Sequence, residues 1–172
     1  NFTWMAISTG INGASSGTGN SISQVLSTVG STSGQAIYTI TASANGCASN
    51  SLTDTVIVHP NPIISSSPIQ QTLCSGDTTS FILSSNVVGT NFTWMAISTG
   101  INGASSGTGN TISQVLSTVG STSGQAIYTI SASANGCVSN SLSDTAIVHP
   151  QKTNTLIVTI CQGQNFLFNG VN

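Results

Sequence analysis

Apolar and polar residues alternate over short stretches of this chain, and no stretch repeats with the 3.6-residue period of a helix. Residues 91–97 put Phe92, Trp94 and Ala96 on one face of an extended strand, and 126–134 do the same with Tyr128, Ile130, Ala132 and Ala134. The same reasoning predicts strands over 78–83, 111–118 and 141–149. A further strand is expected over 63–69, where Pro62 and Pro68 mark a sheet edge. Residues 98–110 are rich in Gly, Ser and Asn and read as a loop with a short edge strand. Asn135-Gly136 signals a type I′ hairpin, because both central residues of that turn need positive φ. About seven short strands separated by turns predict an all-β, immunoglobulin-like β-sandwich. Trp94 is expected between its two sheets.

The pattern then recurs wholesale. Residues 1–60 return as 91–150 with five differences: Ser21/Thr111, Thr41/Ser131, Ala48/Val138, Thr53/Ser143 and Val56/Ala146. A 90-residue period exceeds the common solenoid repeats of about 20–50 residues, so the repeating object is a whole domain. Three segments follow: the C-terminal part of one domain over 1–60, a complete domain over 61–150, and the N-terminal strands of a third module over 151–172. The end pieces lack half of a core, so further chain or neighbouring subunits are expected to complete them. Near-identical adjacent copies suit a rod, a spacer or a multivalent surface better than an enzyme.

Composition narrows the partners. Asp54, Asp77, Asp144 and Lys152 are the only charged side chains, 2% of the chain against about 25% in ordinary domains. Nucleic acid requires several Lys or Arg per site and is excluded as a partner. No polybasic segment addresses an anionic membrane, and no apolar run approaches the roughly 20 residues of a spanning helix. The expected partners are neighbouring repeats of the same chain, identical subunits, or the glycans of a surface. A surface with so little charge also needs another source of solubility, either attached sugars or assembly into a fibre.

Cys74 precedes the strand over 78–83, and Cys137 follows the Asn135-Gly136 turn; within the complete domain neither has another cysteine. They are expected to form a disulfide at one end of the sandwich. In the chain-entropy picture, closing that loop stabilises by about 4 kcal/mol, which implies an oxidising, extracellular setting. Cys47 is the copy of Cys137, and Cys161 opens the third module as Cys74 opens the second; neither has a partner within these 172 residues.

Catalytic and cofactor chemistry find no support. There is no Gly-x-Ser-x-Gly elbow and no Cys-x-x-Cys pair, and the complete domain holds one His, two Asp and no Lys. Paired carboxylates for glycoside hydrolysis, calcium ligands and a lysine for isopeptide cross-linking are therefore missing, and no metal or cofactor is expected. All three Asp residues precede Thr: Asp54-Thr55, Asp77-Thr78 and Asp144-Thr145. Local backbone capping by Asp at strand starts accounts for such pairs.

An ordered set of motifs resembles a known family. Cys74-Ser75-Gly76-Asp77-Thr78-Thr79-Ser80 is followed by Phe92-Thr93-Trp94 and by the run Gly107 to Gln114. Ile127-Tyr128-Thr129-Ile130, Ala134-Asn135-Gly136-Cys137 and Ile147-Val148-His149-Pro150 complete the set. The set resembles the PKD-like, immunoglobulin-like repeats of very large Bacteroidota surface proteins, and residues 160–170 resemble the start of a different module of the same proteins. That resemblance implies secretion, commonly by the type IX system, a structural or adhesive role at the cell surface, and no catalytic residue. It also implies O-glycosylation at Asp-Thr motifs, which makes Thr55, Thr78 and Thr145 acceptor candidates. The rival expectations are a self-assembling fibre completed by strand exchange and a passive spacer in a secreted polysaccharide-degrading enzyme.

Overall fold

The alternating stretches become eighteen short strands, with no helix, among the residues that the computed structural model describes, 1–152 and 157–166. The first copy holds β1 (Phe2–Thr9), β2 (Ile11–Asn12), β3 (Gly17–Thr18), β4 (Ser27–Thr28), β5 (Gly34–Ala44), β6 (Cys47–Ala48) and β7 (Leu52–Val58). The complete copy begins with β8 (Ile64–Ser67), β9 (Gln70–Cys74), β10 (Phe81–Ser85) and β11 (Asn91–Thr99). It continues with β12 (Ile101–Asn102), β13 (Gly107–Thr108), β14 (Thr111–Ile112), β15 (Ser117–Thr118), β16 (Gly124–Ala134), β17 (Cys137–Val138) and β18 (Leu142–His149).

In the complete copy β13, β11, β16, β18 and β9 form one sheet in that order, and β14, β10 and β8 form the other. Trp94 lies opposite Ile130, and Ala96 opposite Tyr128, so the alternation of β11 and β16 sends their apolar residues to the same face. There they meet Phe81 and Leu83 of β10 and Ile112 of β14 in a single core. The Phe81 and Tyr128 rings span the two layers at 5.8 Å between centroids. Trp94 is buried, its indole N–H donates to Ser105 O at 3.1 Å, and its ring lies against the backbone of Gly107. A methyl group at Gly107 would come within 2.7 Å of that ring. Asn135 and Gly136 have φ of 51° and 81°, the conformation expected of the hairpin turn between β16 and β17.

Three boundaries differ from the sequence reading. The strand expected over 63–69 is the shorter β8, which pairs antiparallel with β10, and a further strand that the sequence reading lacked, β9, follows it in the other sheet and pairs parallel with β18. Pro68 separates them, because a residue without an N–H cannot carry a ladder onward. The strand expected over 78–83 starts at Phe81, preceded by a single bridge from Thr78 to Val115. The strand expected over 111–118 is broken into β14, that bridge and β15, which pair with β10, Thr78 and β12 respectively.

The first copy repeats the register of the second, with Trp4 opposite Ile40 as Trp94 is opposite Ile130. Among the described residues, however, no strands equivalent to β8, β9 and β10 lie across from it. Phe2 is 47% exposed where Phe92 is 7% exposed, and Trp4 is only half-buried where its copy Trp94 is buried. The strands expected of a third module over 151–172 fall partly outside the described residues. Of these, 157–166 hold no strand but a turn at Gln162-Gly163, closed by Gln164 N–H donating to Cys161 O at 3.1 Å.

This contrast predicts unequal costs for the same substitution. Trp94→Ala should destabilise the complete copy by about 3–5 kcal/mol, as other large core truncations do. Trp4→Ala should cost less than half as much. Denaturant titration of the two variants checks this, and equal losses would contradict the burial difference.

Candidate functional site

Alternation along β18 points Asp144, Ala146 and Val148 into the core, which buries a carboxylate completely. Ser66 Oγ, from β8 in the opposite sheet, donates a short hydrogen bond to Asp144 Oδ2, while Oδ1 has no partner. Burial raises the Asp144 pKa above the usual carboxylate range, and the Ser66 bond offsets part of that rise. Tyr128, also buried, has its pKa pushed up to about 12 by desolvation. Its hydroxyl donates to Gln114 Oε1 at 2.9 Å, and Gln114 Nε2 donates to Ser105 O at 2.7 Å. Thr79 Oγ1 donates to Ile112 O at 3.0 Å and accepts from Gln114 N–H at 2.9 Å. These groups tie one strand to the next and point at protein atoms rather than at open space. Among the described residues no three His, Cys, Asp or Glu side chains stand close enough to share a metal ion.

The cysteines do not lie where the disulfide expectation put them. Cys74 ends β9 beside His149, at the Gly124 end of β16, whereas Cys137 pairs with Ala134 at the other end. The intervening length of β16 is about 33 Å at 3.3 Å per residue, far beyond the reach of a disulfide. All four cysteines are free thiols. The expectation failed because the sequence showed no switch of sheets: β9 runs parallel to β18 and carries Cys74 to the end of the domain opposite the hairpin. Cys137 instead faces the first copy, with Sγ 3.7 Å from His59 O. Pro60 and Pro62 are buried in the link between the two copies, and Ser33 Oγ holds His59 Nδ1 at 2.6 Å, as Ser123 holds His149 Nδ1 at 2.7 Å.

The three Asp-Thr motifs occupy different surroundings. Thr78 is exposed, and Asp77 Oδ2 accepts Cys74 N–H at 2.9 Å, which is local capping. Thr55 is exposed in β7. Thr145, named as an acceptor candidate, is not at a sheet edge: β18 lies between β16 and β9, and Thr145 is half-buried with its N–H donating to Ile69 O at 3.0 Å. The added parallel strand β9 moves the edge outward by one position.

An open groove of about 420 Å³ crosses the first copy, lined by Phe2, Trp4, Ile22, Ile40, Leu52 and Asp54. Their counterparts Phe92, Trp94, Ile112 and Ile130 lie in the complete core beneath Phe81, Leu83 and Ile64. The groove therefore occupies the place that β8 and β10 take in the complete copy, which is recognisable only once the two copies are compared in three dimensions.

A family model described as PKD-like domain matches residues 1–62 and again 71–152. No match was found among curated proteins.

The buried carboxyl generates a pH prediction. A carboxyl whose folded pKa lies above its unfolded value binds more protons in the native state, so its stabilising contribution is full at acid pH and is lost as pH rises through the folded pKa. The complete copy should therefore grow more stable as pH falls from neutral toward the unfolded carboxylate pKa, and Asp144→Asn should flatten that trend. Thermal unfolding of both proteins across this range checks it; parallel pH profiles would refute it.

Proposed function

The chain belongs to the PKD-like domain family, and on that premise we propose that it is a non-enzymatic structural repeat of an extracellular filament, stalk or adhesin on a bacterial cell surface. PKD-like domains are in general non-catalytic, extracellular modules. The observation that carries the proposal is the tandem arrangement. Two copies of near-identical sequence and strand register are joined by Pro60-Asn61-Pro62, with both prolines buried in the link and Cys137 of one copy against His59 of the other. Proline fixes φ, so this connection behaves as a short stiff spacer rather than a flexible tether. With β16 spanning eleven residues, each copy adds roughly 30–40 Å to a rod. A chain this poor in charge depends on other means of staying hydrated, and sugars are one of them. The exposed Thr78 is the most accessible acceptor, and Thr55 and Thr145 are less favourable because a complete domain places them in an inner strand. The family resemblance points to export by the type IX route and to a very large adhesin as the parent protein.

A second reading draws on the open groove. A strand from a neighbouring subunit could fill it by β-augmentation, which would make the chain a self-assembling fibre subunit.

Protein from its native cells separates the two on a denaturing, reducing gel. The adhesin reading expects one very large chain, accessible to protease on intact cells, and a ladder of small subunits would replace it with the fibre reading. Mass above that of the polypeptide in peptides containing Thr78 is expected, and an unmodified mass would remove glycosylation from the account.

A further inference from the structure

We propose that successive copies are stapled to each other by a disulfide between the cysteine that ends β9 in one domain and the hairpin cysteine of the next domain. In this numbering the bond joins a Cys74-type residue to a Cys137-type residue one period later. The inference rests on the tandem-array reading, but it concerns a covalent link rather than the array itself.

The argument superposes the two ends of the repeat. In the complete copy, Cys74 lies in register with His149, and the next residue, Ser75, donates its N–H to His149 O at 2.8 Å. His59 is the first copy's counterpart of His149, and Cys137 Sγ of the following domain stands 3.7 Å from His59 O. The same histidine carbonyl is thus the neighbour of the β9 cysteine on its own domain and of the hairpin cysteine from the next. The first copy's Cys74-type residue would lie ahead of Asn1, so its place is read from the register of the complete copy. A disulfide needs Cα atoms about 4.4–6.8 Å apart, and the register brings both cysteines to the same histidine. The alternative within one domain spans the length of β16.

The surroundings suit a bond formed late. Cys74 is exposed and Cys137 half-buried, so an oxidant can reach the junction after both domains have folded. Ser75 Oγ accepts from Thr118 N–H at 3.0 Å and Ser75 O accepts from Gln151 Nε2 at 2.9 Å, which pins the segment beside Cys74 to the exit of the domain. In the reaction two thiols lose two protons and two electrons and form one S–S bond. A small-molecule or protein disulfide takes up both electrons and both protons and leaves as two thiols. Under tension along the rod, the bond would carry load past the proline link.

The repeat itself supplies the test. A copy of residues 61–90 fused ahead of Asn1 completes the first domain, and Cys74→Ser with Cys161→Ser leaves three cysteines: the added one, Cys47 and Cys137. After oxidation with oxidised glutathione and digestion without reductant, the added cysteine should be recovered linked to the Cys137 peptide. Val138 against Ala48 gives that peptide a mass distinct from its Cys47 counterpart. Linkage to Cys47, linkage of Cys47 to Cys137, or full alkylation of all three thiols would each overturn the proposal. In the same protein Cys137→Ser should leave the added thiol alkylatable with the thermal unfolding profile of the reduced protein unchanged. If the added thiol stays protected in that variant, the bond does not run to Cys137. An intact single chain on the native gel with no such bond would leave the array standing and remove only the staple.

Discussion

A β-sheet with one apolar face must cover that face, and everything else in this molecule depends on how the cover is supplied. The chain contains its own control. Phe2 and Phe92, Trp4 and Trp94, Ile40 and Ile130 sit in the same strands with the same register, yet only the second of each pair is enclosed. The difference is the layer formed by β8 and β10, which brings Ile64, Phe81 and Leu83 over the sheet. The same sixty-residue stretch is therefore enclosed where β8 and β10 lie over it and open where the described residues hold no such layer. Burying an aromatic side chain stabilises by about 1.5–3 kcal/mol relative to leaving it exposed, so the completing layer sets the stability of each unit.

The same layer decides the behaviour of the polar groups beneath it. Asp144 is a buried acid only because β8 passes over it and presents Ser66; Asp54, its copy, is exposed. An unpaired buried oxygen is costly, and Asp144 Oδ1 is such an atom. Tyr128, Gln114 and Thr79 show the other outcome, in which each buried polar group finds a partner on a neighbouring strand and fixes the path of the broken strand over 111–118. Polar bonds of this kind specify which strands adjoin, while the apolar contacts supply most of the driving force.

Completion of each domain also shapes the array. The parallel course of β9 along β18 carries the chain to the exit end of the sandwich, where Ser75 and Gln151 meet. The hairpin between β16 and β17 occupies the entry end and touches His59 of the copy before it. Entry and exit at opposite ends favour a linear stack, which agrees with a structural role for a PKD-like tandem.

Alternation of side chains is a local property, so the sequence alone determined the strand class, the 90-residue repeat, the buried face of residues 91–97 and 126–134, and the turn at Asn135-Gly136. The five conservative differences between the copies likewise announced equal folds. Pairing partners are not local. That residues 63–69 and beyond divide between two sheets, that β18 is an inner strand and so half-covers Thr145, and that Asp144 is buried were decided by the tertiary structure. The cysteines show the limit best. Two thiols in one domain with no other partner looked like a pair, yet a parallel strand puts them at opposite ends. Sequence separation carries no sign of direction, whereas the distance between two side chains depends on which way each strand runs.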